Sequence, residues 1–464
     1  MIIRTLKAMQ RITSPHTSYL CDEGDDPYLK RKCEELGVVH VARTLNLDAK
    51  AGNINNALSQ STGEICIILD PDHEPAPFMI DRLLGYFEDE SIGFVQSIQA
   101  YQNQNATLVA RGAAEMQYHF YGPIQMGMHG AGTPQAIGAN CAFRRAALDS
   151  IGGHASGLAE DMHTTMRLFA AGWKGAYVPE ILTRGLVPQT LGAFYKQQLK
   201  WSCGTFDLLF GVLPKVFKSL SWHQRLHFLF CPIYFLQGWV TVVGALIPIL
   251  CLLTGGVAWK ITGSTFLAMG LPILMLVLLI RMVAQRFLAE PSERGFHLTS
   301  GILSAGTWWV FSIGNLCSVL RRKIPYVPTP KDNWAEDAWK ISIPNITLGL
   351  LSLAAIPIGL FLDYSPYSGL MSAFAAWNAV SLLTVVAISQ QKTNERLKNA
   401  TLRWSGPLKD SWFTRPVQFA GRQLQRFHVA TLAVLREYRL DRPDPAQLRK
   451  GRAGRPMALL PIPL

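Results

Sequence analysis

The sequence predicts an α/β domain over residues 1–225, followed by an α-helical membrane region. Short apolar runs with strand character alternate with helix-like stretches in the first half, the pattern of a mostly parallel sheet with crossover helices. From Phe228 onward, five long runs contain no charged residue. Charged residues make up only 16% of the chain, against about 25% in soluble domains, which argues against a wholly soluble protein.

The alternation in the first half rests on five segments. Residues 37–42, 64–69 and 92–97 have strand character, whereas residues 28–36 and 52–60 have helical character. Eight cysteines lie singly along the chain without a C-x-x-C pair, which is typical of free thiols rather than of a zinc or redox motif.

The uncharged runs are long enough to be membrane spans. They cover residues 228–259, 261–280, 295–320, 341–362 and 364–391. A hydrocarbon core of roughly 30 Å needs about 20 residues. The third run is more polar and ends in a basic cluster. We interpret it as interfacial, because four spans then place both basic segments on the same side as the first domain.

The positive charge is concentrated in one segment. The formal net charge is +12, and residues 390–464 hold 15 of the 44 basic and 5 of the 32 acidic residues. A tail at the membrane surface explains this concentration. A nucleic-acid site would need basic and aromatic residues interleaved on a folded module. We therefore predict the lipid bilayer as a partner and no nucleic acid.

Two carboxylates, Asp70 and Asp72, follow directly after a strand-like run. Residues two apart at a strand end can converge on one hard divalent cation, which would neutralise a diphosphate. Alone the pattern is weak, because many strand-to-loop junctions carry two acids.

Four further motifs have both a functional and a structural interpretation. Asp22 follows a strand end, Lys50 lies where a helix begins and favours an anion, and the acids Glu160 and Asp161 precede a helix. The segment 197–201 combines amides, a cation and an indole, which suits a sugar ring. Taken singly, each motif also has a structural interpretation. Asp22 is typical of a turn acid, Lys50 of a solvated helix face, the pair Glu160 and Asp161 of a helix N-terminus, and Trp201 of a membrane anchor.

The order of these motifs resembles that of the processive, membrane-embedded family 2 glycosyltransferases: cellulose synthases and related β-glucan, chitin and hyaluronan synthases. That family carries D-D-G, K-A-G-N, D-x-D, T-E-D and Q-(Q/R)-x-R-W in this order. The corresponding segments here are 22–24, 50–53, 70–72, 159–161 and 197–201, and residues 326–331 resemble the family's F-x-V-T-x-K gating loop. The resemblance covers about residues 2–390.

The resemblance implies a GT-A-like fold and a domain plan. The expected units are a catalytic domain at 1–188, interfacial helices with the acceptor motif at 189–225, two transmembrane helices at 226–285, an interfacial helix and gating loop at 286–338, two transmembrane helices at 339–390, and a basic cytoplasmic tail at 391–464. The implied location is the plasma membrane, the inner membrane of a bacterium, with the catalytic domain and the tail in the cytoplasm.

The resemblance also implies an inverting, processive reaction that polymerises a β-linked polysaccharide from a UDP-sugar, UDP-glucose above all, and passes it across the membrane. Asp22, Lys50 and Asp70 would bind the nucleotide, and Asp70 and Asp72 would hold Mg²⁺ or Mn²⁺. Asp161, beside Glu160, would be the general base.

Two further groups of residues have implied roles in the same resemblance. The acceptor glycan would be bound by Gly138, Gln197, Gln198, Lys200 and Trp201. The gating loop would close over the nucleotide through Tyr326, Thr329 and Lys331.

The chain departs from the family pattern at several positions. Ala159 replaces Thr, and Lys200 replaces Arg, which keeps the charge but loses the planar fork. Ile137 and Ala139 stand where cellulose synthases have Cys and Ser around the acceptor, which weakens a cellulose-specific interpretation.

A further departure concerns the first strand of the family's catalytic domain, which ends in a P-T-Y-N-E-like motif. Residues 1–6 here resemble the helix that follows it. We expect a truncated gene or a misassigned start, or else a natural pseudoenzyme, with the edges of neighbouring strands exposed.

Three other functions compete with a processive synthase. The first is a non-processive membrane glycosyltransferase acting on a lipid, and the presence of Trp201 and of the gating loop argues against it. A transporter would carry charges inside its spans, which are nearly bare here. An inactive truncated homologue is the third. The resemblance also allows accessory export subunits as partners.

Overall fold

The structure, a computed structural model, describes residues 1–43, 47–258, 262–322, 324–325, 336–363 and 365–404. The predicted gating-loop residues Tyr326, Thr329 and Lys331 lie outside the described residues, as does the basic tail beyond residue 404. The predicted alternation of strands and helices in the first domain is confirmed.

Two sheets lie in the first domain. The strands of the described residues are β1 Tyr19–Asp22, β2 Val39–Ala42, β3 Ile65–Ile68, β4 Glu74–Pro75, β5 Ile92–Tyr101, β6 Cys141–Arg144 and β7 Lys174–Gly185. β1 and β2 pair in parallel as one small sheet. The other five form a second sheet in the order β3-β6-β5-β7-β4.

The prediction of a mostly parallel sheet is wrong. β5 and β7 are parallel, but β6 runs antiparallel to both β3 and β5, and β4 runs antiparallel to β7. The helices between β5 and β6 bring the chain back to the end of the sheet at which β5 stops, so β6 runs in the reverse direction.

The sheets do not join between β1 and β3. Among the described strands, β1 pairs only with β2, and β3 pairs only with β6. Residues of both strands, including Leu20 and Ile67, line the same cavity. Each of these two strands therefore has one edge without a strand partner among the described residues.

Helices cover both faces of the five-stranded sheet and form the rest of the molecule. They are α1 Ile2–Met9, α2 Pro27–Leu36, α3 Ala49–Ser59, α4 Met79–Leu84, α5 Leu108–His119, α6 Gln125–Gly130, α7 Arg145–Ser150, α8 Glu160–Ala170, α9 Leu191–Gly211, α10 Leu213–Val216, α11 Trp222–Phe230, α12 Gln237–Thr254, α13 Gly263–Ala284, α14 Leu298–Ala305, α15 Trp308–Val319, α16 Ile343–Leu362, α17 Pro366–Ser389 and α18 Gln391–Trp404. Short 3₁₀ segments lie at Gly85–Glu88, Phe217–Ser219, Cys231–Leu236, Gln285–Phe287 and Pro291–Glu293, and a π-helical turn lies at Phe120–Ile124.

The core of the first domain has two layers, one on each face of the five-stranded sheet. Adjacent residues of a strand point to opposite faces. Phe94 of β5 accordingly packs with Phe143 and Met166 on one side, and Val95 packs with Met79 on the other. Each fully buried side chain of this size stabilises the fold by roughly 1.5–3 kcal/mol.

Four helices are long and apolar enough to cross a membrane: Trp222–Thr254, Gly263–Phe287, Ile343–Leu362 and Pro366–Ser389. α12, α16 and α17 pack around Leu252, Leu348 and Met371, whereas α13 has no buried residue. The third uncharged run forms α14 and α15, which are bent by 51° and would make a fifth span if counted together. Its interfacial position stays a prediction.

Candidate active site

A cavity of about 2200 Å³ lies where the strand ends meet α3, α8 and α9. Ten of the predicted site residues line it: Lys50, Asp70, Asp72, Gly138, Glu160, Asp161, Gln197, Gln198, Lys200 and Trp201. The five motifs to which they belong are far apart in sequence, so the fold brings together side chains that sequence order alone could not place.

Lys50 lies at the centre of this arrangement. It belongs to the first turn of α3. This helix begins directly after Asp48, whose backbone is in the left-handed conformation (φ +59°). Its Nζ donates to Asp70 Oδ1 at 2.5 Å and to the carbonyl oxygen of Gly138 at 2.6 Å. The same Nζ lies 4.0 Å from Glu160 Oε1. One ammonium therefore connects three separate motifs.

The residues after β3 form a cluster that could hold a metal ion. Ligand atoms of Asp70, Asp72 and His73 all lie within 4.8 Å of one another. Asp72 is oriented by the backbone N–H of Leu186, which donates to its Oδ2 at 2.8 Å. A Cβ on Gly185 would lie 2.4 Å from the His73 ring, so only glycine allows β7 to pass this close.

His73 was missed in the sequence analysis, although it directly follows Asp72. Its side chain is buried, and neither ring nitrogen makes a hydrogen bond within the described residues. Its Nδ1 lies 3.5 Å from Asp72 Oδ1. A buried imidazole that makes no hydrogen bond beside two carboxylates has the composition of a ligand. The signal available in the sequence was the histidine immediately after the two acids.

Glu160 and Asp161 form the first turn of α8 and face the cavity. Burial raises the pKa of Glu160 to about 7, with a further increase from the Asp161 charge and a decrease from Lys50. Burial also raises the pKa of Asp161, against the hydrogen bond from Met162 N and the charge of Lys50. Carboxyl groups whose pKa values lie closer to neutrality are suited to proton transfer.

Gly138 forms the part of the wall nearest to these acids. Its φ of +77° favours glycine, and a Cβ there would lie 3.3 Å from Asp161 Oδ2 and 3.4 Å from Lys50 Nζ. Gln96, buried in the middle of β5, fixes this loop. Its Oε1 accepts from Ile137 N at 2.9 Å and its Nε2 donates to Ala139 O at 2.8 Å. A glutamine inside an apolar strand was the only sequence signal for that role.

The acceptor motif lies on α9, which begins at Leu191. Thr190 caps this helix, because its Oγ1 accepts from Ala193 N. Gln198 is 3% exposed, and Trp201 packs beside Phe206 and Phe311 at the far side of the cavity. Beyond Trp201 the wall continues with aromatic residues of the first apolar helix, Phe230, Tyr234 and Phe235.

Among the predicted site residues that the structure describes, Asp22 does not line the cavity, although its neighbours Cys21 and Glu23 do. Its Oδ1 accepts from Gly24 N at 3.0 Å, and its Oδ2 accepts from Asp26 N at 2.7 Å and lies 3.0 Å from His40 Nε2. Burial opposes ionisation, but these hydrogen bonds outweigh it and lower the pKa of Asp22. The carboxylate stabilises the β1–α2 turn, and its contact with a nucleotide stays a prediction.

Comparisons with known proteins agree with the motif order. Residues 3–204 match the family described as glycosyltransferase like family 2, and residues 149–290 match the family described as cellulose synthase. A cellulose synthase catalytic subunit (UDP-forming) from Xanthomonas axonopodis pv. citri is 29% identical over 228 residues, 48% of this chain and 31% of that protein. Cellulose synthase 1 of Komagataeibacter xylinus is 26% identical over 411 residues, 83% of this chain and 26% of that protein.

The chain thus spans between about a quarter and a third of the length of these two relatives. Among solved structures, a mannosyltransferase from Pyrobaculum calidifontis in complex with GDP-Man and Mn²⁺ is 16% identical with a TM-score of 0.43, and the match covers 68% of this chain and 83% of that one.

Proposed function

We propose that the chain, which matches the family models for glycosyltransferase like family 2 over residues 3–204 and for cellulose synthase over residues 149–290, is a processive, inverting glycosyltransferase. It polymerises a β-linked polysaccharide from a UDP-sugar, with UDP-glucose as the expected donor, and a relative named cellulose synthase catalytic subunit (UDP-forming) supports a UDP-sugar. The polymer then passes across the membrane between the apolar helices.

The observation that carries this proposal is the position of Asp161. Its carboxylate lines the same cavity as the acidic cluster after β3 and as Gln198 and Trp201 of α9. A diphosphate and a sugar hydroxyl can therefore share one cavity with this carboxylate. In-line attack by a single displacement needs the leaving group, the base and the acceptor together, and it inverts the anomeric carbon.

Asp161 acts as the general base that removes the proton of the acceptor hydroxyl. Burial raises the pKa of Asp161 towards the range in which a base is both ionised and effective. Lys50 and Lys200 favour the ionised form. Glu160, with a pKa of about 7, is placed to exchange a proton with its neighbour.

The acidic cluster fits a divalent metal ion. Asp70 and Asp72 supply hard oxygen donors and His73 supplies an imidazole without a hydrogen bond among the described residues, a set that suits Mg²⁺ or Mn²⁺. When bound there, such an ion would neutralise the diphosphate and so make UDP a better leaving group. Lys50, bonded to Asp70, adds a second positive charge on the same side.

The acceptor end of the cavity supports a polymer rather than a single sugar. Trp201 and the amides of α9 offer one stacking and hydrogen-bonding site. Beyond it, Phe230, Tyr234 and Phe235 extend the wall along the start of the first apolar helix. A chain elongated at Asp161 would therefore lie along aromatic side chains as it approaches the membrane.

We place the protein in the plasma membrane, the inner membrane of a bacterium, with the catalytic domain and the basic tail in the cytoplasm. The four apolar helices and the positive charge next to the last one support this orientation. Accessory export subunits would act on the far side.

The test is a polymerisation assay with membranes that contain the full chain. Radiolabelled UDP-sugars are supplied with Mg²⁺ or Mn²⁺, and the insoluble product is digested with linkage-specific glucanases. Asp161→Asn should lower transfer by about a hundredfold to ten-thousandfold. Asp149→Asn, which changes an exposed acid outside the cavity, should retain activity. Label in a lipid extract instead of a polymer would indicate a non-processive enzyme, and no transfer from any UDP-sugar would refute the proposal.

A further inference from the structure

A buried polar cluster joins the acceptor helix α9 to the apolar helix α16. Asn345, in the first turn of α16, is fully buried. Its Nδ2 donates to Tyr195 Oη at 2.9 Å and to Gly306 O at 3.2 Å, and its Oδ1 accepts from Trp308 Nε1 at 2.9 Å. Tyr195 Oη in turn donates to Gly306 O at 2.8 Å.

Each polar group of this cluster has a partner on a different helix. Tyr195 belongs to α9, Asn345 belongs to α16, and Gly306 lies at the bend between α14 and α15. Hydrogen bonds of buried polar groups fix relative position more strictly than apolar packing does, because an unmatched group is costly. The cluster therefore defines the depth and rotation of α9 against the apolar helices.

Helix α9, to which Tyr195 belongs, also carries the acceptor motif. Gln198 lies three residues after Tyr195, on the same face of α9, and lines the cavity with Trp201. From this geometry we infer that Asn345 is a positioning residue for glycan transfer. It acts through Tyr195 to hold the acceptor side chains at the distance from Asp161 that the reaction needs. The inference rests on the proposed function.

Two variants separate this role from general stability. Asn345→Leu removes the hydrogen bonds to Tyr195, Gly306 and Trp308 while keeping a side chain of similar size. Tyr195→Phe removes only the hydroxyl and keeps the ring. The matched control is Asn378→Leu in α17, because Asn378 donates a 3.3 Å hydrogen bond to Gly244 O and none of its described hydrogen bonds reaches α9.

The experiment compares two reactions of the full chain in membranes. Transfer to glycan needs the acceptor side chains, whereas hydrolysis of the UDP-sugar to free sugar does not. We expect Asn345→Leu and Tyr195→Phe to lower transfer by about tenfold to a hundredfold and to shorten the product. Hydrolysis and the KM for the UDP-sugar should stay near wild type. Asn378→Leu should leave the ratio of transfer to hydrolysis unchanged.

The outcomes distinguish this inference from the proposed function. If the wild-type chain makes glycan, and if Tyr195→Phe and Asn345→Leu give the same transfer-to-hydrolysis ratio and product length as Asn378→Leu, the positioning role is refuted and the proposed function stands. Equal losses of transfer and hydrolysis also refute it, since they indicate a structural role alone. If the wild-type chain makes no glycan, both fail.

Discussion

The ammonium of Lys50 lies 2.5 Å from Asp70 Oδ1 and 4.0 Å from Glu160 Oε1, so one cation bridges the acidic cluster after β3 and the acidic pair of α8. A charge in this position serves two purposes. It offsets repulsion between two sets of carboxylates, and it favours the ionised form of Asp161, the proposed base. The sequence resemblance implies only a nucleotide-binding role for Lys50, whereas the structure shows that it also links the two acidic groups.

Replacing Lys50 by Met should move the acidic limb of the pH–rate profile. Burial already raises the pKa of Asp161, and Lys50 counteracts that increase. The proposed base is active only when ionised. If the pKa of Asp161 rises, the carboxylate becomes protonated at a higher pH, so lowering the pH abolishes activity sooner than in wild type. We expect kcat/KM to lose half its maximum at a pH about one unit higher than in wild type. The control is Lys196→Met, which removes an exposed lysine of α9. A profile that drops in height but keeps the same acidic midpoint would contradict this role.

His73→Gln should weaken metal binding. The imidazole is buried, its Nδ1 lies 3.5 Å from Asp72 Oδ1, and neither ring nitrogen makes a hydrogen bond among the described residues, so its removal should take the proposed ligand away without breaking a hydrogen bond. We expect the apparent Kd for Mn²⁺, measured by electron paramagnetic resonance on the purified full chain with UDP, to rise at least about tenfold. His163→Gln, which changes a histidine outside the cavity, is the control. Equal Mn²⁺ affinity in both variants would exclude His73 as a ligand.

The sequence predicted where the motifs lie relative to strands and helices, because that placement is local. Asp70 and Asp72 follow a strand, and Glu160 and Asp161 begin a helix, so strand and helix ends could be read from periodicity and motif order. The partners of these residues were not predictable, because they depend on tertiary contacts. The bond from Lys50 to Gly138 O spans 88 positions, and the support of the 137–139 loop by Gln96 spans more than 40.

Strand direction was the main error in the fold. The apolar pattern of β6 is the same for either direction, and only the path of the helices before it makes it antiparallel. The cluster around Asn345 was equally hidden, since a single Asn in an apolar run gives no sign of its partners. The gating-loop residues lie outside the described part of the chain, so their role is still a prediction.

Gly138→Ala should impair catalysis more than stability. Its positive φ makes alanine unfavourable by about 1 kcal/mol, and the new methyl would lie 3.3 Å from Asp161 Oδ2. Gly132 offers a matched control, because its φ is +73° and a Cβ there would meet nothing within 4 Å. We expect both variants to lower Tm by a similar few degrees, and Gly138→Ala alone to lower the rate of transfer, by about tenfold or more. Similar rates in the two variants would mean that the wall beside Asp161 tolerates a side chain.

Asp22→Asn should destabilise the first domain in a way that depends on pH. The hydrogen bonds from Gly24 N, Asp26 N and His40 lower the pKa of Asp22 below its unfolded value, which is about 3.9. A depressed pKa contributes stability that is fully present above the unfolded value and is lost as the pH falls through the folded value. The wild type should therefore be more stable than Asp22→Asn by about 1–3 kcal/mol between pH 7 and pH 5, and the difference should shrink below about pH 4. Thermal unfolding of the full chain in detergent at several pH values measures this difference in stability.

The control is Asp25→Asn, which alters an exposed acid of the same turn and should show no such pH dependence. A difference that vanishes already between pH 7 and pH 5 would mean that another group, rather than the Asp22 carboxylate, controls the turn.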